Sequence, residues 1–249
     1  MILELDYGNT YAKWRLVDRA YVLLAEGKLK SLDAKYEYFL AESVFDDVEL
    51  VLICAVVKSE LIAHLVEMFM LSLGAGNVFV AKSRAELSGV KFNYVDVSRL
   101  GVDRCLVMIS AYRHHPEGVL VVDCGSAITA DLVSSTGMHI GGYILPGLGM
   151  LQRSLVSGTS DIYLNECVRG RLSPGGSTEE CVVNGVLTMA VSSLRSLAAK
   201  AREYGINHFL ITGGDAEVLQ VQGLTEFEIK RNLVFEGLEI ASSDTGNQQ

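Results

Sequence analysis

Two aspartates sit where chemistry could start, and the residues around them repeat. Residues 2–17 read Ile-Leu-Glu-Leu-Asp6-Tyr-Gly8-Asn9-Thr10-Tyr-Ala-Lys13-Trp-Arg-Leu-Val. Residues 119–134 read Val-Leu-Val-Val-Asp123-Cys-Gly125-Ser126-Ala-Ile-Thr129-Ala-Asp-Leu-Val-Ser. Each is an apolar strand ending in Asp-x-Gly, then small or hydroxyl residues, then a second β-prone run. The glycine lets backbone approach a ligand closely. Successive turn amides form a concavity for anions. A carboxylate at the strand end can hold a hard cation directly or through water. Two such hairpins facing each other would hold the phosphate chain of a nucleotide and its metal. One Asp-x-Gly alone is an ordinary hairpin turn. Its recurrence on the first strand of each half-chain points instead to a duplicated site.

The elements that must carry these hairpins follow from periodicity. Residues 2–6, 11–17 and 20–26 read as a three-stranded meander, followed by a short helix over 32–42. The continuous apolar run 50–57 is a buried strand. An amphipathic helix over 59–73 has Ser59 as N-cap and Gly74 as C-cap. A strand spans 78–81, residues 82–100 show no clear period, and a helix over 102–114 stops before Pro116. The pattern then restarts. Strands are expected at 119–123, 127–133 and 138–145, with a helix over 147–156 and a loop-rich insert over 157–176. A long helix over 177–204, a strand over 209–212, a short helix and a closing element complete the chain, with a frayed tail from Ser242. This is a duplicated α/β fold, divided into residues 1–115 and 116–249.

Composition narrows the function class. At 249 residues the chain can bury two cores, and a hydrophobic fraction of 49% supplies them. A net charge of −9 leaves no dominant basic surface, which speaks against nucleic acid and anionic membranes as partners. Cys54, Cys105, Cys124, Cys167 and Cys181 include no CxxC pair, as expected of reduced, mostly buried thiols in a cytoplasmic protein. No basic leader precedes an apolar stretch, and the run 50–57 is too short to span a bilayer.

Further motifs follow in order. Gly101-Val102-Asp103-Arg104 opens a helix, where an acidic residue is ordinarily a dipole partner. Gly141-Gly-Tyr-Ile-Leu-Pro146-Gly147 joins a strand to a helix through a tight, fixed turn. Ser177 or Thr178, after Pro174-Gly-Gly176, is an ordinary helix N-cap. Thr212-Gly213-Gly214 ends a strand with bare backbone against which an adenosine could lie. Walker and protein-kinase signatures are missing.

This ordered set resembles the type III pantothenate kinases along essentially the whole chain. That family belongs to the acetate and sugar kinase, Hsp70 and actin superfamily, with two ribonuclease-H-like domains and an actin-like ATPase fold. The resemblance implies ATP-dependent phosphorylation of pantothenate to 4′-phosphopantothenate, the first step of coenzyme A biosynthesis. It implies that Asp6, Tyr7, Gly8, Asn9, Thr10, Tyr11, Ala12 and Lys13 form a first phosphate loop, with Asp6 toward Mg²⁺. Ser126 belongs to the second loop, where the family usually has Thr, and Gly213 and Gly214 join the ATP site. Asp123 matches a position associated with a monovalent cation, K⁺ or NH₄⁺. Asp103 matches the general base and Arg104 the residue that grips the pantothenate carboxylate. Gly101, Val102, Tyr94 and Thr178 complete the substrate set, Thr178 across a homodimer interface. The expected mechanism is in-line transfer in a cleft between domains. Three other readings stand beside it: a phosphohydrolase of the same superfamily, a kinase of another small hydroxy acid, and a non-enzymatic regulator like the Bvg accessory factors.

Overall fold

The computed structural model describes all residues except 32, 57–58, 160–169 and 247–249. The chain forms two compact units, Met1–Ser110 with Leu233–Gln249, and Ala111–Asn232.

The first unit contains β1 (Ile2–Tyr7), β2 (Tyr11–Val17), β3 (Leu23–Lys30), α1 (Tyr36–Ala41), β4 (Leu50–Ala55), α2 (Glu60–Leu73) and β5 (Val78–Val80). A small hairpin, β6 (Glu86–Leu87) and β7 (Val90–Lys91), precedes α3 (Val102–His114), whose last residues belong to the second unit. The second unit contains β8 (Gly118–Cys124), β9 (Ala127–Ser134), β10 (His139–Pro146), α4 (Leu148–Gly158), α5 (Thr178–Glu203), β11 (His208–Thr212), α6 (Ala216–Gln220) and β12 (Glu228–Ile229). The closing helix α7 (Leu233–Gly246) returns to the first unit.

The two sheets have the same plan. Their strand orders are β3-β2-β1-β4-β5 and β10-β9-β8-β11-β12. In each, three antiparallel strands are followed by two parallel additions next to the first strand. The duplication read from the Asp-x-Gly repeat is therefore a duplication of topology. Burial explains the continuous run in β4: it lies between β1 and β5, and Val51, Leu52, Ile53 and Cys54 are all fully buried. The α2 caps also match their residues. Ser59 Oγ accepts from the Ile62 amide at 3.3 Å, and Gly74 adopts φ 89° while its amide donates to Met70.

Helix α5 lays Val186, Leu187, Ala190, Val191, Leu194 and Ala198 into a core shared with β8 and β9. Among the described residues it is the one helix long and apolar enough to cross a membrane, and half of its most apolar stretch is buried in the protein. Cys54, Cys105 and Cys124 are buried free thiols, while Cys181 is free and exposed. Cys167 and half of the expected insert, residues 160–169, lie outside the described residues.

Several boundaries differ from the sequence expectation; α7, for one, stays helical to Gly246, past the Ser242 at which a frayed tail is expected, because its own turns continue the backbone hydrogen bonding. Strand β3 begins at Leu23 rather than residue 20. The reason is a local Asx turn: Asp18 Oδ1 accepts from the amides of Ala20 and Val22 at 2.8 and 2.9 Å, and Tyr21 takes φ 60°. Helix α1 starts at Tyr36, four residues later than expected. The C-terminal stretch, expected with residues 116–249, packs as α7 on β1 and β4. Gly237 permits that approach, since a Cβ there would lie 2.2 Å from the Leu106 carbonyl oxygen.

The first unit also buries charge. Glu4 in β1 is fully buried, with Arg15 Nε of β2 at 3.4 Å. Arg15 Nη2 is 3.6 Å from Glu239 of α7, and its guanidinium lies 5.1 Å from the Phe235 ring centroid. Burial pushes the Glu4 carboxyl up to about 8, with Arg15 opposing and Glu239 adding to the rise. A folded pKa above the unfolded value means that the native state holds the extra proton. Stability then falls as pH rises from about 4.5 toward 8. We expect the Tm of the protein to drop between pH 5 and 8 and that of Glu4→Gln to change less. Parallel melting curves for the two proteins across that range would contradict the buried proton.

Candidate active site

The first Asp-x-Gly hairpin is tied down by β3. The Gly8 amide donates to the Tyr11 carbonyl at 3.1 Å, closing the turn. Ser31 Oγ donates to the Gly8 carbonyl at 2.7 Å, the Ser31 amide donates to Thr10, and the Tyr7 hydroxyl donates to the Ser31 carbonyl. The Tyr7 and Ala12 side chains point into the core, at 3% and 2% exposure, so these two can offer a ligand only backbone. The Gly8 amide is used within the turn, while Asn9, Thr10 and Tyr11 are exposed at its tip. Asp6 is mostly buried at the strand end, and Lys13, its register partner, brings Nζ to 3.9 Å. Ser31 went unnoticed in the sequence, because nothing marks a serine 23 residues away as the brace of a loop.

At the start of α3 the chain places a carboxylate and a guanidinium on consecutive residues. Asp103 Oδ1 accepts from the Arg104 amide at 2.8 Å. A Cβ on Gly101 would stand 2.5 Å from that same oxygen, so the glycine is what lets the carboxylate fold over the helix start. Val102 is buried and anchors the turn. Arg104 is itself only 6% exposed. Its Nη1 is 3.4 Å from the Tyr94 hydroxyl, and its Cζ lies 5.8 Å from the centroid of that ring. Tyr94 and Arg104, expected to share a substrate, are thus neighbours.

The second hairpin is built like the first. The Gly125 amide donates to the Ala127 carbonyl at 3.0 Å, with Ser126 exposed at the tip. Gly147 packs beneath the loop: a Cβ would lie 2.5 and 2.6 Å from the Ser126 and Gly125 carbonyl oxygens. Asp123 is half-buried at the end of β8, opposite Thr212 of β11. Gly213 has φ +94°, and a Cβ there would sit 2.5 Å from Asp123 Oδ1 and 2.4 Å from the Cys124 carbonyl oxygen. Any other residue would be strained and would collide with both. Nothing lies within 4 Å of a Cβ built on Gly214, which leaves open space over the backbone. The Asp215 amide donates to the Cys124 carbonyl at 3.0 Å, a tie between β8 and β11 that the sequence did not reveal. Burial, then the nearby Asp123 and Asp215 charges, push the Cys124 thiol far up, so it stays protonated and unreactive.

Thr178 is exposed at the first position of α5, after Ser177, whose hydroxyl accepts from the Glu180 amide. It lines a groove of about 770 Å³ between α4 and α5, with Leu151, Leu155, Gly185 and Met189.

Two sheets of one topology, each opening on an Asp-x-Gly hairpin, define a protein of the duplicated actin-like ATPase fold. The type III pantothenate kinase family model matches residues 2–200. The type III pantothenate kinase of Pseudomonas aeruginosa is 36% identical over 254 residues, covering 97% of this chain and 98% of that one. The chain belongs to the type III pantothenate kinase family. It is a phosphotransferase that uses ATP with a divalent metal to phosphorylate pantothenate, in coenzyme A biosynthesis. Among solved structures, a Baf family protein of Campylobacter jejuni, described as a transcriptional activator, aligns with TM-score 0.62 at 21% identity, over 98% of this chain and 99% of that one. A protein assigned as a 2-dehydro-3-deoxygalactonokinase from Sinorhizobium meliloti aligns with TM-score 0.57 at 11% identity, over 98% and 96%. These two likenesses concern the fold alone.

Proposed function

We propose that Asp103 is the general base and Arg104 the carboxylate anchor for pantothenate. The observation that carries this reading is the buried Arg104 guanidinium beside the Tyr94 hydroxyl, one residue from a carboxylate held at a helix start. A primary alcohol must lose its proton as its oxygen meets the γ-phosphorus, and a carboxylate within reach can orient it and accept that proton late. A guanidinium offers a planar fork for the far end of the substrate, and Tyr94 adds a hydroxyl. The Asp6 to Lys13 loop and Ser126 contact the ATP phosphates, while Gly213 and Gly214 leave backbone clear for the adenosine.

The residues present fit the implied ions. Asp6 offers a single hard carboxylate that suits Mg²⁺ carrying several waters. Asp123 Oδ1 and the Cys124 carbonyl converge on Gly213, a hard-oxygen set suited to K⁺ or NH₄⁺. Mg²⁺ with the nucleotide and a monovalent cation beside it would offset phosphate charge. Turnover is expected to be higher in K⁺ or NH₄⁺ than in Na⁺ at matched ionic strength. Equal rates would remove the monovalent cation from the account.

The groove on α4 and α5 supports a homodimer. Leu155 and Met189, which line it, are exposed large apolar residues, at 38% and 56%. A second copy covering them would bring Thr178 to a shared substrate site. Light scattering at micromolar concentration is expected to give twice the chain mass, and a monomer would contradict this reading. The acidic net charge speaks against nucleic-acid and anionic-membrane partners, and cysteines without a CxxC pair fit a reducing cytoplasm.

Arg104 and Tyr94 favour an organic acid acceptor over water. The test is ADP release with pantothenate, with pantetheine and with no acceptor. Rapid release only with pantothenate is expected. Equal release without acceptor would make the protein a phosphohydrolase, and no release under any condition would favour the regulator.

A further inference from the structure

We propose that the second unit carries a transition-metal site made by His115, Glu117 and His208, at the opposite strand ends from the phosphate loop. One ligand atom from each of the three residues lies within 4.8 Å of the others. Glu117 Oε1 is 2.9 Å from His208 Nε2 and 3.5 Å from His115 Nδ1. Two imidazoles and one carboxylate are a donor set for Zn²⁺, with a fourth position for water. Ca²⁺ and Mg²⁺, which prefer oxygen ligands, are disfavoured.

The surroundings supply what such a site needs. His115 turns Nδ1 toward Glu117 and Nε2 toward Glu228 Oε2, at 3.6 Å. A metal-binding histidine characteristically donates its other ring N–H to a carboxylate, which fixes its tautomer. Glu228 is in turn held by Lys230 Nζ at 2.9 Å. The backbone beneath is firm. Pro116 lies between two of the ligands, the Gly118 amide donates to the His115 carbonyl, and Gly118 takes φ +111°. His208 is fixed by β11, where it pairs with Val119 of β8. The two rings lie stacked at 4.4 Å and 16°. Both side chains are partly exposed, at 18% and 40%, so the rings can turn until their nitrogens converge on one ion.

The site would clamp the end of α3 and the starts of β8 and β11, with β12 supplying the outer carboxylate. Glu117 lies six residues before Asp123, roughly 20 Å along an extended strand. The metal would therefore brace the sheet without entering phosphoryl transfer.

The test is a Zn²⁺ titration of chelator-stripped protein in a Cys181→Ser background, which removes the exposed thiol. One saturable site per chain is expected. His115→Ala and His208→Ala should each weaken it by at least about 100-fold, and Glu228→Ala by about 10–100-fold. Zn²⁺ should raise the Tm of the parent protein and not that of His208→Ala. Should a histidine variant unfold, His208→Gln serves in its place. Equal affinity in the parent and the histidine variants, or the lack of saturable binding in the parent, would overturn the site.

Discussion

Asp103→Asn is expected to fold, to bind pantothenate and ATP, and to lose about 10²–10⁴-fold in kcat. The change is nearly isosteric. Asn can keep the hydrogen bond from the Arg104 amide through its side-chain oxygen, and it places no new bulk against Gly101. What disappears is the charge and the proton-accepting ability at the helix start. The loss should therefore fall on kcat with KM for pantothenate little changed, the signature of an interaction made in the transition state. The acidic limb of the pH–rate profile should disappear with it. Near-parental kcat with unchanged pH dependence would make Asp103 a helix-start residue and no base.

Arg104→Ala is expected to damage pantothenate use far more than nucleotide binding. The guanidinium is only 6% exposed and has the Tyr94 hydroxyl 3.4 Å from Nη1, so the proposed pair with the substrate carboxylate would form in a largely buried setting. Losing a buried charge-assisted pair costs about 2–5 kcal/mol, which should appear in kcat/KM for pantothenate. Arg104→Lys should rescue only part, because an ammonium lacks the fork. Pantetheine, which has no carboxylate, is the control. The parent enzyme should use it poorly, and Arg104→Ala should lower that poor rate little further. Equal losses on both acceptors, or a matching fall in ATP affinity, would assign Arg104 to structure or to phosphate binding.

Much of this arrangement could be read from local patterns. The Asp-x-Gly repeats mark strand ends, and the structure has a hairpin at each. Ser59, Gly74 and Ser177 mark helix ends by the side-chain and backbone bonds that their types favour. What escaped depends on partners distant in sequence or on competing local bonds. Asp18 ties up two amides and delays β3. α7 joins the first unit because Gly237 can lie against Leu106, a contact across more than a hundred residues with no periodic signal. The stretch 82–100 has no period, and it is tertiary packing that brings its Tyr94 to Arg104. The Glu4–Arg15–Glu239 cluster was hidden as well, since alternating charge in a strand ordinarily reads as a solvated face.

The central claim is that a phosphoryl group passes from ATP to the primary hydroxyl of pantothenate. ³¹P NMR of a reaction with ATP, Mg²⁺, K⁺ and pantothenate follows that group directly. The account predicts a new phosphomonoester resonance growing in step with ADP, dependent on pantothenate and nearly abolished in Asp103→Asn. Growth of inorganic phosphate in its place, at the same rate with and without pantothenate, would contradict it.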